Sequence, residues 1–131
     1  MKTSALTVTE FITLAELLRE VYYDGGYPTI GSAIDSIDDA IAETFDGVAY
    51  GERKLYATPI TRTNQTQVDI SVHVEVDTDF EVKHTYNVWY DNDGIVPVAF
   101  KYRLTETRGT LSSTVTQYTN FQTGEYRIYE S

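Results

Sequence analysis

The sequence contains no cysteine among its 131 residues, only three prolines, and only 10 lysine and arginine residues against 20 aspartate and glutamate residues. Without cysteine, disulfide frameworks, thiolate nucleophiles and cysteine-type zinc sites are excluded. The formal net charge of −10 disfavours direct binding to nucleic acid or to an anionic membrane, because both surfaces would repel the chain. A protein partner with a basic surface would attract it instead.

Long apolar runs are also missing. No stretch reaches the roughly 20 apolar residues of a membrane span, and Lys2 is followed by interspersed polar residues where a secretion signal would have its apolar core. The sequence therefore predicts a cytoplasmic protein. Its length and its 41% hydrophobic content predict a single domain over residues 1–131.

Two segments have apolar residues at helical spacing. Thr7 and Glu10 have the spacing of a capping box, and residues 8–23 follow with apolar side chains three and four positions apart. A second helix is predicted over residues 30–46, with Thr29 as its N-terminal cap.

After residue 51 the period of the apolar pattern changes to two, which is typical of strands with one buried face. Six strands are predicted, over residues 53–62, 67–77, 82–91, 95–105, 110–119 and 125–130. The predicted fold class is α+β: two N-terminal helices packed on one face of a curled antiparallel meander of five or six strands. This order of elements resembles the cystatin-like α+β class in shape, which carries no implication for activity.

The side chains also predict how neighbouring strands pair. We expect Val76 opposite Val82 in the first long hairpin and Val88 opposite Val98 in the second, since apolar partners then share a face. The second hairpin would close with the three-residue loop 92–94, whose final glycine suits a type I turn with a bulge.

The second predicted helix has the most unusual charge pattern in the chain. No lysine or arginine lies between residues 29 and 46. The acidic side chains that share one side of this helix form what we call the acidic ridge: Asp35, Asp38, Asp39, Glu43 and Asp46. Such a ridge lowers helix stability through repulsion between side chains four positions apart.

The charge is polarised along the chain. Residues 1–49 contain 9 acids and 2 bases, residues 50–91 contain 7 and 4, and residues 92–131 contain 4 and 4. The leading hypothesis is a small, non-enzymatic interaction protein of viral or mobile-element type. Its acidic ridge would act as an inhibitor or nucleic-acid mimic and occupy a basic site on a nucleic-acid-binding protein. The alternative interpretations of the ridge are a solvated helix face and an adaptation to high salt.

Trp89 is a second candidate for partner binding. Alternation places it on the outer face of the sheet, opposite Pro97 in the next strand. An exposed tryptophan is a common interface anchor. The alternative is that a loop or the preceding chain covers it.

A different hypothesis uses the inner face of the sheet. His84, Tyr86, Tyr90 and Tyr102 would line a pocket for a small ligand or for simple acid–base chemistry. The pattern supplies no carboxylate to orient His84, so no catalytic residue is assigned. A third hypothesis is a virion or assembly component that acts through homo-oligomerisation.

No cofactor or metal is predicted. Residues 91–94 resemble the start of a calcium loop, but the twelfth position, where such a loop has an acidic residue, is Tyr102. The glycines match neither a phosphate-binding loop nor a dinucleotide fingerprint.

Overall fold

The computed structural model of the chain describes residues 7–24, 26–44 and 52–130. The elements follow in the order α1 (Val8–Asp24), α2 (Ile30–Thr44), β1 (Glu52–Ile60), β2 (Gln65–Asp77), β3 (Phe80–Asp91), β4 (Val96–Arg108), β5 (Leu111–Asn120) and β6 (Tyr126–Glu130). The fold belongs to the α+β class. The six strands form one open antiparallel sheet in chain order, with β1 and β6 at its two edges.

Both helices begin at the caps that the sequence predicts. The Thr7 N–H donates to Glu10 Oε1 and the Glu10 N–H donates to Thr7 Oγ1, each at 3.1 Å, which is a complete capping box. In α2 the Ser32 N–H donates to Thr29 Oγ1 at 3.0 Å. The last two residues predicted for this helix, 45 and 46, lie outside the described residues.

The inner face of the sheet is apolar because the period-two pattern of β2, β3 and β4 turns alternate side chains to that side. These side chains form one buried cluster with apolar residues from both helices. The ring of Phe11 in α1 stacks on the ring of Phe100 in β4, with 5.2 Å between centroids. Neither described helix has the length and apolar character that a bilayer crossing requires.

The predicted pairing of β2 with β3 is wrong by two residues. Val74, and not Val76, faces Val82, and Asp77 faces Phe80 across a two-residue turn. A shift of two residues leaves every side chain on its original face, because the pleat has a period of two. The apolar pattern therefore selects the face of each residue without selecting its partner.

The pairing of β3 with β4 is displaced in the same way. Val88 faces Phe100 where the sequence predicts Val98. A register shift between Trp89 and Tyr90 then brings the ends of the two strands closer to the predicted alignment.

The turn between β3 and β4 also differs from the prediction. It spans residues 92–95, and the positive φ angle, 48°, falls on Ile95 where the sequence predicts it on Gly94. The reason is tertiary: the Tyr27 N–H, in the α1–α2 connection, donates to the Ile95 carbonyl oxygen at 3.1 Å. A contact from another part of the chain thus overrides the local glycine preference.

Candidate functional site

The described part of the acidic ridge lies on the solvent side of α2. Asp35 and Asp39 are exposed, one helical turn apart, and Asp38 is half-buried. The opposite side of the helix carries Ile37 and Ile41, which belong to the buried cluster. Apolar burial on one side therefore fixes which side presents the carboxylates to solvent.

The ridge extends beyond what the structure describes. Glu43 falls within α2, but its side chain is outside the described part, as is all of Asp46. The inclusion of these two residues in the ridge stays a prediction.

Trp89 occupies the outer face of the sheet and is half-buried. It faces Gln67 on β2 and Ala99 on β4, in place of the predicted Pro97. The Lys101 ammonium lies 5.6 Å from the centroid of the indole ring, within the range of a cation–π contact. Burial lowers the pKa of Lys101, and the neighbouring Arg103 acts in the same direction. Trp89 is thus partly covered by its neighbours on the outer face of the sheet.

A polar cluster that sequence reasoning missed lies beside Trp89. Asp69 Oδ1 accepts hydrogen bonds from Gln67 Nε2, at 2.8 Å, and from Asn87 Nδ2. Asn87 is buried although it lies on the outer face. The signal appears only once the register is known, because the three residues come from two strands that pair two positions away from the predicted alignment.

The outer face of the sheet also carries basic side chains. A groove of about 320 Å³ is lined by Lys54, Tyr56, Ser71, His73 and Lys83. His73 lies on this face as the alternation predicts, and its Nε2 is 3.6 Å from Glu81 Oε2. The groove with its two lysines and the acidic ridge therefore lie on different elements of the fold.

The four residues of the alternative pocket are packed inside the protein. His84, Tyr86, Tyr90 and Tyr102 are each at most 1% exposed. His84 Nδ1 and the Tyr102 hydroxyl are 2.8 Å apart and share a hydrogen bond. Burial is the main cause that raises the pKa of Tyr86 and of Tyr90 above the ordinary range of a phenol. Both phenols therefore stay protonated at neutral pH and lie in the buried interior.

A groove of about 260 Å³ lies between α1 and the β5–β6 hairpin. Its apolar walls include Phe11, Ile12, Phe121 and Tyr126. The rings of Phe11 and Tyr126 are 5.6 Å apart. Sequence reasoning did not find this groove, since it depends on where the short strand β6 joins the sheet.

Within the described residues, no three histidine or acidic side chains are grouped so that they could hold a metal ion. The two carboxylates of the acidic segment 91–94 accept hydrogen bonds from the chain itself. Asp91 Oδ1 accepts from the Asp93 N–H at 3.0 Å, and Asp93 Oδ1 accepts from Asn64 Nδ2 at 3.0 Å. These hydrogen bonds give both carboxylates a structural role at the turn.

No protein-family model, curated protein or solved structure matches the chain. The function of the chain is therefore inferred from the geometry and charge of its own surfaces.

Proposed function

We propose that the chain is a small, acidic, non-enzymatic interaction protein that inhibits a nucleic-acid-binding protein by placing the acidic ridge of α2 in its basic site. The observation that carries this proposal is the exposure of Asp35 and Asp39, one turn apart, on a helix whose other side is buried. We assign it to the viral or mobile-element class of such inhibitors, acting in the cytoplasm.

The spacing of the exposed carboxylates supports mimicry of a phosphate backbone. At about 1.5 Å per residue, Asp35 and Asp39 lie about 6 Å apart along the helix axis. Phosphates of one DNA strand recur about every 3.4 Å of the duplex axis. The pair therefore approximates the axial spacing of every second phosphate of a strand. Carboxylates at this spacing would steer a basic groove towards the helix and increase the association rate.

The proposal includes the predicted arrangement of both helices on the apolar face of the sheet. The stacking of Phe11 on Phe100 supports it for α1, and the shared buried cluster that contains Ile37 and Val68 supports it for α2. A helix held in this way displays its carboxylates without a large loss of conformational entropy on binding.

The pocket alternative receives less support. A ligand would have to reach His84 and three tyrosines that are each at most 1% exposed. A pocket protein normally keeps its orienting polar groups open to the ligand. The surface arrangement of charge therefore favours an interaction protein.

The test is a double substitution of the exposed ridge, Asp35→Asn with Asp39→Asn. Tagged wild-type protein is used to capture partners from candidate host lysate, with washes at low salt and at about 0.5 M salt, where charge screening is strong. We expect the wild type to retain one dominant basic partner at low salt and to lose it at high salt. The double variant should bind that purified partner at least about tenfold more weakly, which corresponds to about 1.4 kcal/mol.

The matched control is Glu75→Gln with Asp79→Asn, which changes the net charge by the same amount at exposed positions outside α2. It should bind like the wild type. Equally weakened binding by both variants would mean that the interaction depends only on net charge. Unchanged affinity in the ridge variant would contradict the proposal. Duplex DNA should compete with the wild type for the partner, since both would occupy one site.

A further inference from the structure

The edge strand β6 exposes apolar side chains. Tyr126, Ile128 and Tyr129 are 41%, 44% and 48% exposed. Ile12 of α1, also exposed, lines the groove beside Tyr126. An open strand edge with apolar side chains favours pairing with a further strand.

The backbone of β6 also has hydrogen-bonding groups directed to the open side. The Asn120 N–H donates to the Glu125 carbonyl oxygen at 2.9 Å. Bonded and non-bonded pairs alternate in an antiparallel ladder. Arg127 and Tyr129 therefore bond to β5, while the N–H and C=O groups of Ile128 and of its neighbours two positions away point outward.

We propose that two copies of this chain form a symmetric dimer in which β6 pairs antiparallel with β6 of the second copy, with Ile128 facing its counterpart on the two-fold axis. In this register Arg127 faces Tyr129 of the other copy, which allows a cation–π contact. A shift in one direction would place Arg127 opposite Arg127, and a shift in the other would shorten the ladder. The strand is thus self-complementary in one register.

The charge distribution supports a second copy as the occupant. The chain carries −10 overall, but residues 92–131 contain 4 acids and 4 bases. At the edge itself, Arg127 Nε lies 2.7 Å from Glu125 Oε1. Two copies can therefore meet at β6 without an excess of either charge sign in the strands that join.

The opposite edge of the sheet is less suited to self-pairing. Pro59 in β1 has no N–H to donate, and Lys54 on the same strand would add charge to the contact. The proposed dimer does not depend on the proposed function, since β6 and the acidic ridge have no residue in common.

The first test measures the mass of the full chain in solution across a range of concentrations, by light scattering or sedimentation equilibrium. We expect the wild type to approach twice 14.8 kDa as concentration rises. Ile128→Lys should abolish the dimer, because two ammonium groups would face each other on the axis. The matched control Leu111→Lys, at a position that is 76% exposed on β5, should leave the dimer intact.

The second test uses the absence of cysteine from the chain. Directly opposed residues of a bonded pair have Cα atoms about 5.5 Å apart, within the range of a disulfide. Ile128→Cys should therefore form a covalent dimer under mild oxidation. Tyr126→Cys should not, since its counterpart lies about four residues, or roughly 13 Å, further along the strand.

Four outcomes would overturn the inference. A wild type that is monomeric at every concentration would exclude the dimer. Faster cross-linking of Tyr126→Cys than of Ile128→Cys would contradict the register. Growth beyond the dimer would indicate that β6 pairs with a different edge, and a dimer that persists in Ile128→Lys would place the contact elsewhere. Circular dichroism of each variant checks that it is folded.

Discussion

Tyr86 and Tyr102 form a natural matched pair for a stability experiment. They face each other on β3 and β4, their rings are 5.1 Å apart, and both are buried. Their hydroxyl groups differ. The Tyr102 hydroxyl bonds to His84 Nδ1 at 2.8 Å, whereas the Tyr86 hydroxyl is buried with no hydrogen-bond partner among the described residues.

The same chemical change should therefore have opposite effects at the two positions. An unpaired buried hydroxyl costs about 1–3 kcal/mol. Its removal in Tyr86→Phe, offset by the lost packing of one atom, should stabilise the protein by about 1 kcal/mol and raise Tm by about 4 °C. Tyr102→Phe leaves the buried His84 nitrogen without this hydrogen bond, so it should destabilise by about 1–3 kcal/mol.

Urea-induced unfolding followed by far-ultraviolet circular dichroism measures both variants against the wild type. The dependence of the unfolding free energy on urea should be the same for all three proteins, since the surface exposed on unfolding is nearly unchanged. A Tyr86→Phe protein that is clearly less stable than the wild type would refute the reasoning. It would mean that this hydroxyl is satisfied, for example by a buried water.

Two further predictions concern the helix cap and the buried phenols. Thr29→Ala removes the acceptor of the Ser32 N–H and should lower the free energy of unfolding by about 1 kcal/mol, with faster amide exchange in the first turn of α2; unchanged exchange there would contradict the capping role. The pKa of Tyr90 is raised in the folded protein, mainly by burial, while the unfolded chain keeps a value near 10. Stability should therefore be unaffected by this group below about pH 10 and fall above it, by about 1.4 kcal/mol per pH unit for each such phenol. Unfolding measured as a function of pH, together with phenolate absorbance, tests this prediction. Ionisation of all tyrosines near pH 10 in the folded protein would disprove it.

The sequence predicts the parts of the fold that depend on short-range pattern. The capping box at Thr7 and Glu10 is confirmed. It could be predicted because both partners lie within one helical turn. The inward side of Val68 and of the alternate residues after it follows from the period of two. The α+β class and the antiparallel sheet follow from the change of period after residue 51.

Features that depend on strand register or on contacts between distant segments could not be predicted in this way. The two-residue displacement of β2 against β3 leaves the apolar faces unchanged, so the pattern contains no information against it. The position of positive φ at Ile95 depends on Tyr27, which lies far away in sequence. A Cβ atom at Gly26 would meet the Gly94 carbonyl oxygen, so this contact between the helical connection and the turn requires glycine.

The acidic ridge could be predicted from the sequence, whereas the surface at β6 could not. The acidic ridge needs only the helical period, and Asp35 and Asp39 are exposed as that period implies. The Asp69–Asn87 contact and the groove at Tyr126 need a known register, so no local pattern reveals them.

The two proposals are linked by symmetry. A two-fold axis through Ile128 and perpendicular to the sheet keeps corresponding faces of the two sheets on the same side. Given the proposed packing of both helices on the apolar face, both acidic ridges would then point in the same direction. A partner with two basic sites would bind them together with increased avidity. Breaking the dimer with Ile128→Lys should in that case weaken capture of such a partner while each single ridge keeps its affinity. Neutralising Asp35 and Asp39 should instead reduce the affinity of each ridge and leave the dimer unchanged. If ridge substitutions instead changed the mass of the assembly in solution, the acidic helix and the strand edge would belong to one interface.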